Sequence, residues 1–234
     1  MTGQIADKVF YDGTEYELIR VQGGPLFRPG DFGLHPTMFG TGCYRGFYCE
    51  YHVQASGLVL TRAVIHTKDK VYPPIMGVEA VYEPRRVITE AEAKAILPLE
   101  GRFVISRKTG RDSEEREWTL FYVGGIYASL SVPIPFTGGM LLGAEMIRDW
   151  FHHMGFPPAE SFERLVEVEF EAGQIIAMHD HSTRAVAYRE LIAQLDSESR
   201  EFSQQRISRE REFAWQFKFQ YPRVAFNYEP VAPP

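Results

Sequence analysis

Gly33-Leu34-His35-Pro36 leads through Tyr48-Cys49-Glu50-Tyr51-His52-Val53 to a small-residue turn at Ala55-Ser56-Gly57 and on into Leu58-Val59-Leu60. A second stretch keeps the same order: Gly155-Phe156-Pro157-Pro158, then Phe162 and Val166-Glu167-Val168-Glu169-Phe170, a turn at Ala172-Gly173, and Gln174-Ile175-Ile176. Each is a Gly-Pro loop feeding a β-hairpin. The echo predicts an α+β fold, predominantly antiparallel β, with two related hairpin halves at about 1–106 and 118–182 inside a β-rich core of 1–182. Residues 183–234 are expected to form a long helix and a terminal aromatic strand, packed on that core or on a partner.

Outward from these stretches, alternation around Tyr11-Asp12-Gly13 predicts a hairpin over 8–20. Residues 22–42 are dense in Gly and Pro and read as an ordered loop. Thr89 with Glu92 three residues later has capping-box spacing and predicts a short helix to Ala95. Trp118–Val123, Gly124-Gly125 and Ile126–Val132 read as a hairpin, and Ala144–Met154 as a helix with Met146, Ile147, Trp150, Phe151 and Met154 on one buried stripe. From Thr183 to about Arg211 there is neither Gly nor Pro, and Ala, Leu, Glu, Gln and Arg dominate, as in a helix. Its half from Gln204 to Glu212 is nearly all polar. Phe213, Trp215, Phe217, Phe219 and Tyr221 then alternate with small or polar residues, the period of a strand with one aromatic face.

The chain has 234 residues, 44% of them hydrophobic, enough for one sizeable core or two small ones without staples. Its two cysteines, Cys43 and Cys49, lie six positions apart, about 20 Å on an extended strand and beyond disulfide reach. Reduced thiols and a cytoplasmic setting are therefore expected. Met1–Phe10 shows no signal-peptide pattern, and the apolar run Ile126–Gly143 is broken by Pro133, Pro135, Gly138 and Gly139, so no membrane span is expected. The net charge of −6 with mixed signs argues against a nucleic-acid partner.

Chemistry concentrates in few places. His152, His153, His179 and His181 supply imidazoles that suit a metal, and a small metal-assisted hydrolase using them, with His179 and His181 catalytic, is the alternative function. The simpler reading leaves these histidines exposed, with Asp180 or Ser182 capping the following helix. Phe136-Thr137-Gly138-Gly139-Met140 reads as a glycine-rich loop entering a helix but lacks the Lys-Ser/Thr of a phosphate loop. Glu167 and Glu169 alternate with Val166, Val168 and Phe170 and are expected to face outward.

Cys43-Tyr44-Arg45-Gly46-Phe47 packs a thiol, two aromatic rings and an Arg around one glycine. Over residues 25–66 it resembles a small-Cys-aromatic-Arg-Gly-aromatic hairpin signature of uncharacterised bacterial proteins, and Pro133 through Phe156 resembles them more weakly. That family carries no assigned reaction, so the resemblance implies a fold unit. No cofactor is expected. The favoured function is a cytoplasmic bacterial binding protein, not an enzyme, that engages another protein or a second copy of itself, in a toxin-neutralising or phage-defence accessory role. Tyr44, Arg45, Phe47, Arg206, Arg209 and Arg211 are the expected contact residues.

Overall fold

The computed structural model describes residues 3–83, 85–95, 102–108, 116–150, 155–195, 205, 217–219 and 221. In chain order the elements are β1 (Lys8–Tyr11), β2 (Thr14–Gln22), β3 (Phe47–Gln54), β4 (Gly57–Ile65), β5 (Arg86–Ile88), α1 (Glu90–Ala95), β6 (Arg102–Lys108), β7 (Arg116–Tyr122), β8 (Gly125–Tyr127), β9 (Val132–Pro133), β10 (Gly138–Met146), β11 (Phe162–Glu171), β12 (Gln174–Asp180) and α2 (Ser182–Ala193). The fold is α+β and mostly antiparallel β, as the alternation predicts. No helix among the described residues is long and apolar enough to cross a membrane.

The chain forms two compact units that interleave along the sequence: 1–27, 50–60 and 133–234 in the first, 28–49 and 61–132 in the second. Neither is a contiguous half. The β3–β4 and β11–β12 hairpins both close through two-residue turns, Ala55-Ser56 and Ala172-Gly173, but their neighbours differ. β1 pairs with β3 in parallel, whereas β10 pairs with β11 antiparallel.

In the first unit the strands run in the order β12-β11-β10-β2-β1-β3-β4. The start of β4 returns to the β11–β12 turn: Leu58 N donates to Gly173 O at 2.7 Å, Gly173 N to Phe136 O at 2.7 Å and Ile134 N to Leu58 O at 2.8 Å. The sheet therefore curls back on itself, which satisfies backbone groups that a flat sheet would leave at its edges. Val9, Leu18, Tyr51, Leu60, Met140 and Val168 are among its buried side chains.

The run Gly138–Met146 is a central strand of this sheet, where a glycine-rich loop entering a helix was expected. Buried on both faces, such a strand carries continuous apolar character and loses the period-2 signature. Two of its glycines are fixed by close approach: a Cβ on Gly139 would sit 2.2 Å from the Phe219 ring, and one on Gly143 2.4 Å from the Phe162 ring. The strand is followed by a single 3-10 turn at Arg148–Trp150. The rest of the expected helix, 151–154, lies outside the described residues.

In the second unit the far end of β4 pairs with β8, and β5-β7-β6 form a separate three-stranded sheet. The expected hairpin over 118–132 is thus two strands of different sheets. Gly124-Gly125 answers a packing demand there, since a Cβ on Gly124 would meet the Ile65 carbonyl oxygen at 2.1 Å and one on Gly125 the Tyr72 ring at 2.5 Å. Val64, Val123 and Ile126 form one small core with Phe39 and Tyr48 against them, and Ile88, Ala93 and Leu120 another under Trp118. The capping box forms as its spacing predicts, with Glu92 N donating to Thr89 Oγ1 at 3.2 Å and Thr89 N to Glu92 Oε2 at 2.8 Å. Cys43 and Cys49 are buried and not joined in a disulfide.

Candidate functional site

The densest polar cluster lies on one face of β11 and β12, in the first unit. β11 ends in the Ala172-Gly173 turn, so its register against β12 begins at Glu171 opposite Gln174 and Phe170 opposite Ile175. Beyond that point the ladder shifts, with Glu169 opposite Ala177 and Glu167 opposite His179, which leaves Ile176 as an extra residue in a β-bulge. The bulge turns His179 onto the glutamate face. Without it, Glu167 would stand opposite Met178.

Glu167 is fully buried and Glu169 is 4% exposed, against the expectation that both face solvent. The cover is formed by Phe217, Lys218, Phe219 and Tyr221. Glu167 accepts from four donors: Lys218 N at 2.9 Å and His181 Nε2 at 3.2 Å on one oxygen, Phe219 N at 3.0 Å and the Tyr221 hydroxyl at 3.1 Å on the other. Glu169 accepts from His179 Nε2 at 2.9 Å and from Lys218 Nζ. An ionised carboxylate only accepts, so both histidines carry their proton on Nε2 in these contacts. Both pairs run diagonally between strands, within reach of long side chains.

Electrostatics follow from this geometry. Burial would push the Glu167 carboxyl up, but the bonds from Lys218, Phe219, His181 and Tyr221 outweigh it and hold it below the ordinary value of 4.5. Lys218 first, and then His179, hold Glu169 low as well. The Tyr221 hydroxyl is pushed well up, first by burial and then by the Glu167 charge, so it stays protonated as a donor.

Aromatic packing completes the site. Phe217 packs against the buried cluster formed by Ile19, Leu141, Phe162, Leu165 and Ala185, and its ring meets His181 edge-on at 4.9 Å between centroids. Phe219 lies over Gly139. The period-2 reading of 213–221 correctly puts Phe217, Phe219 and Tyr221 on the sheet, but its described part is a bend. Two successive amides converging on one carboxylate require that, since in a strand they would point to opposite sides.

His179 and His181 are therefore engaged by buried glutamates instead of standing free at the strand–helix junction. The N-cap of the helix is His181, without a side-chain bond, where Asp180 or Ser182 was expected; Asp180 accepts Ser182 N at 2.8 Å, and Ser182 Oγ accepts Leu165 N at 3.1 Å. His152 and His153 lie outside the described residues, as do Arg206, Arg209 and Arg211 and most of the expected long helix, of which Ser182–Ala193 is α2. Among the described residues no group of three or more His, Cys, Asp or Glu is arranged to hold a metal ion.

The other expected contacts fall in the second unit. Tyr44 is exposed, and the Arg45 guanidinium stands over the Phe47 ring, 4.8 Å from its centroid. Their loop adjoins a longer one. Thr37 N donates to His66 O at 2.8 Å, Pro36 bridges to Thr67, and a Cβ on Gly33 would lie 3.9 Å from Pro73. At the tip of that longer loop, where Gly77–Tyr82 reads in the sequence as a short strand, the chain makes a tight turn and isolated bridges. There Ile75 and Val78 exchange backbone hydrogen bonds of 3.0 and 2.9 Å around Met76 (φ +49°) and Gly77 (φ +81°). The signal was present in Met76-Gly77, which stands where Asn-Gly is usual in a tight turn. No family model matches the chain, and neither a curated protein nor a solved structure does.

Proposed function

We propose that the protein is a non-catalytic binding protein that engages another protein through the adjoining loops 33–46 and 67–83 of its second unit. The observation that carries this reading is Met76. A left-handed backbone costs a non-glycine residue roughly 1 kcal/mol, least for Asn or Asp, and Met76 adds to that strain a 68% exposed apolar side chain. A partner that buries the side chain recovers the cost of its exposure and offsets the strain. Val71 and Val81 are exposed on the same loop, and Met38 and Tyr44 on its neighbour; Met and Tyr are types that interface cores favour.

The loop is held for such a task. Ile75 is fully buried beneath Met76, the Tyr127 hydroxyl donates to Pro73 O at 2.7 Å, and Thr67 Oγ1 to Val71 O at 3.3 Å. A loop already ordered loses little entropy on binding. Affinity capture from the native host, with tagged wild type beside Met76→Asn and Val81→Ser, tests the assignment. The substituted protein should stay folded and lose the captured protein. Equal capture by both would remove these loops from the interface.

A further inference from the structure

We infer that the outer face of β10, β11 and β12 is a binding site for a short segment of a partner protein with the pattern aromatic, basic, aromatic, any residue, tyrosine, and that the chain's own Phe217–Tyr221 is its resident occupant. The face is built without the occupant. Its strands are fixed by the β10–β11 and β11–β12 ladders, and Phe217–Phe219 adds no strand to them. What holds the segment is recognition by side chains. Glu167 takes two successive backbone amides and a tyrosine hydroxyl, Glu169 takes the lysine ammonium, and Gly139 leaves the slot in which the Phe219 ring lies. The apolar seat for Phe217 is the buried cluster that includes Ile19, Leu141 and Leu165.

Each demand excludes competitors. The paired amides ask for a bent backbone without proline at the basic position or the next, because proline has no N–H. Two buried carboxylates ask for a cation and reject an acidic segment, whose charge would be buried beside like charge. Because the resident segment belongs to the same chain, its binding is intramolecular and masks the site from a free competitor. A partner must supply a tighter segment, or act where the resident one is displaced.

The test uses the full chain and a labelled synthetic peptide of residues 215–223, followed by fluorescence anisotropy. Phe217→Ser with Tyr221→Ser weakens the resident segment, and this variant should bind the peptide at least about tenfold more tightly than wild type does. Adding Glu167→Gln should abolish that binding while circular dichroism shows the sheet intact. Equal affinity in wild type and the weakened variant, or binding indifferent to Glu167→Gln, overturns the inference. So does a weakened variant that cannot fold, because the segment would then be core and not ligand. A dimer at micromolar concentration that the peptide dissolves would put a second copy in the site in place of a partner protein.

Discussion

Glu167 shows how much one buried charge depends on its donors. Glu167→Gln keeps one acceptor oxygen and turns an NH2 group toward donors, so it should cost on the order of 2–3 kcal/mol in urea unfolding. The pH dependence has a definite sign. Glu167 and Glu169 sit below their ordinary value of 4.5 in the folded chain, so their stabilisation is present above about pH 4.5 and is lost as pH falls through the lower folded values. The groups facing them, His179, His181, Lys218 and Tyr221, are cationic or neutral in acid and cannot replace the lost charges. The urea midpoint should fall in that window, and less steeply in Glu167→Gln. Glu17 works the other way: burial first raises it, the neighbouring Glu15 adds to that, and Lys8 only partly offsets them. Glu17→Gln should therefore raise the neutral-pH midpoint, with the gain vanishing once acid protonates Glu17 in folded and unfolded chains alike. Alternation in Val166–Phe170 correctly puts the glutamates on one face. It is silent on what covers that face, because the cover comes from fifty residues downstream, and on the partner histidine, because the bulge at Ile176 has no mark such as glycine.

Elements set by local chemistry were readable, and those set by packing were not. The capping box at Thr89 and the Asp12-Gly13 turn are complete within a few residues, and both form as the sequence predicts. β10 and β8 depend on what approaches them. Gly138–Met146 reads locally as a glycine-rich loop entering a helix, yet it is the strand onto which Phe162 and Phe219 close. The two rings predict different outcomes for the same substitution. Phe162 is 1% exposed, so Gly143→Ala overpacks a region with no room and should destabilise the protein by about 1–3 kcal/mol in thermal or urea unfolding. Phe219 is only half-buried and can lift away. Gly139→Ala should speed amide exchange at Lys218 and Phe219 while leaving exchange within β10 and β11 unchanged. Loss of protection throughout the sheet would instead show that the Phe219 contact is part of the core.

At the scale of the whole molecule the chain leaves and re-enters its units at 27/28, 49/50, 60/61 and 132/133. Contiguous halves were the natural reading of a repeated hairpin. What joins distant segments instead is strand pairing such as Leu18 with Leu142, which no local pattern announces. Among the described tight turns, Ala172 at φ +47° before Gly173 in the first unit and Met76 at φ +49° before Gly77 in the second are left-handed residues without a short polar side chain, unlike Asp12 at φ +47° before Gly13. Asn relieves either backbone, because its short amide tolerates the left-handed region. Ala172→Asn and Met76→Asn should therefore each raise stability by on the order of 0.5–1 kcal/mol in urea unfolding. The consequences for binding should diverge. Ala172 presents one methyl group, and its replacement should leave partner capture unchanged. Met76 presents the apolar side chain on which the proposed contact rests, so its gain in stability should come with a loss of capture. Equal capture by both variants would reduce the methionine to a turn residue that happens to be strained. Loss of capture by Met76→Asn alone would show the strain being kept for the partner.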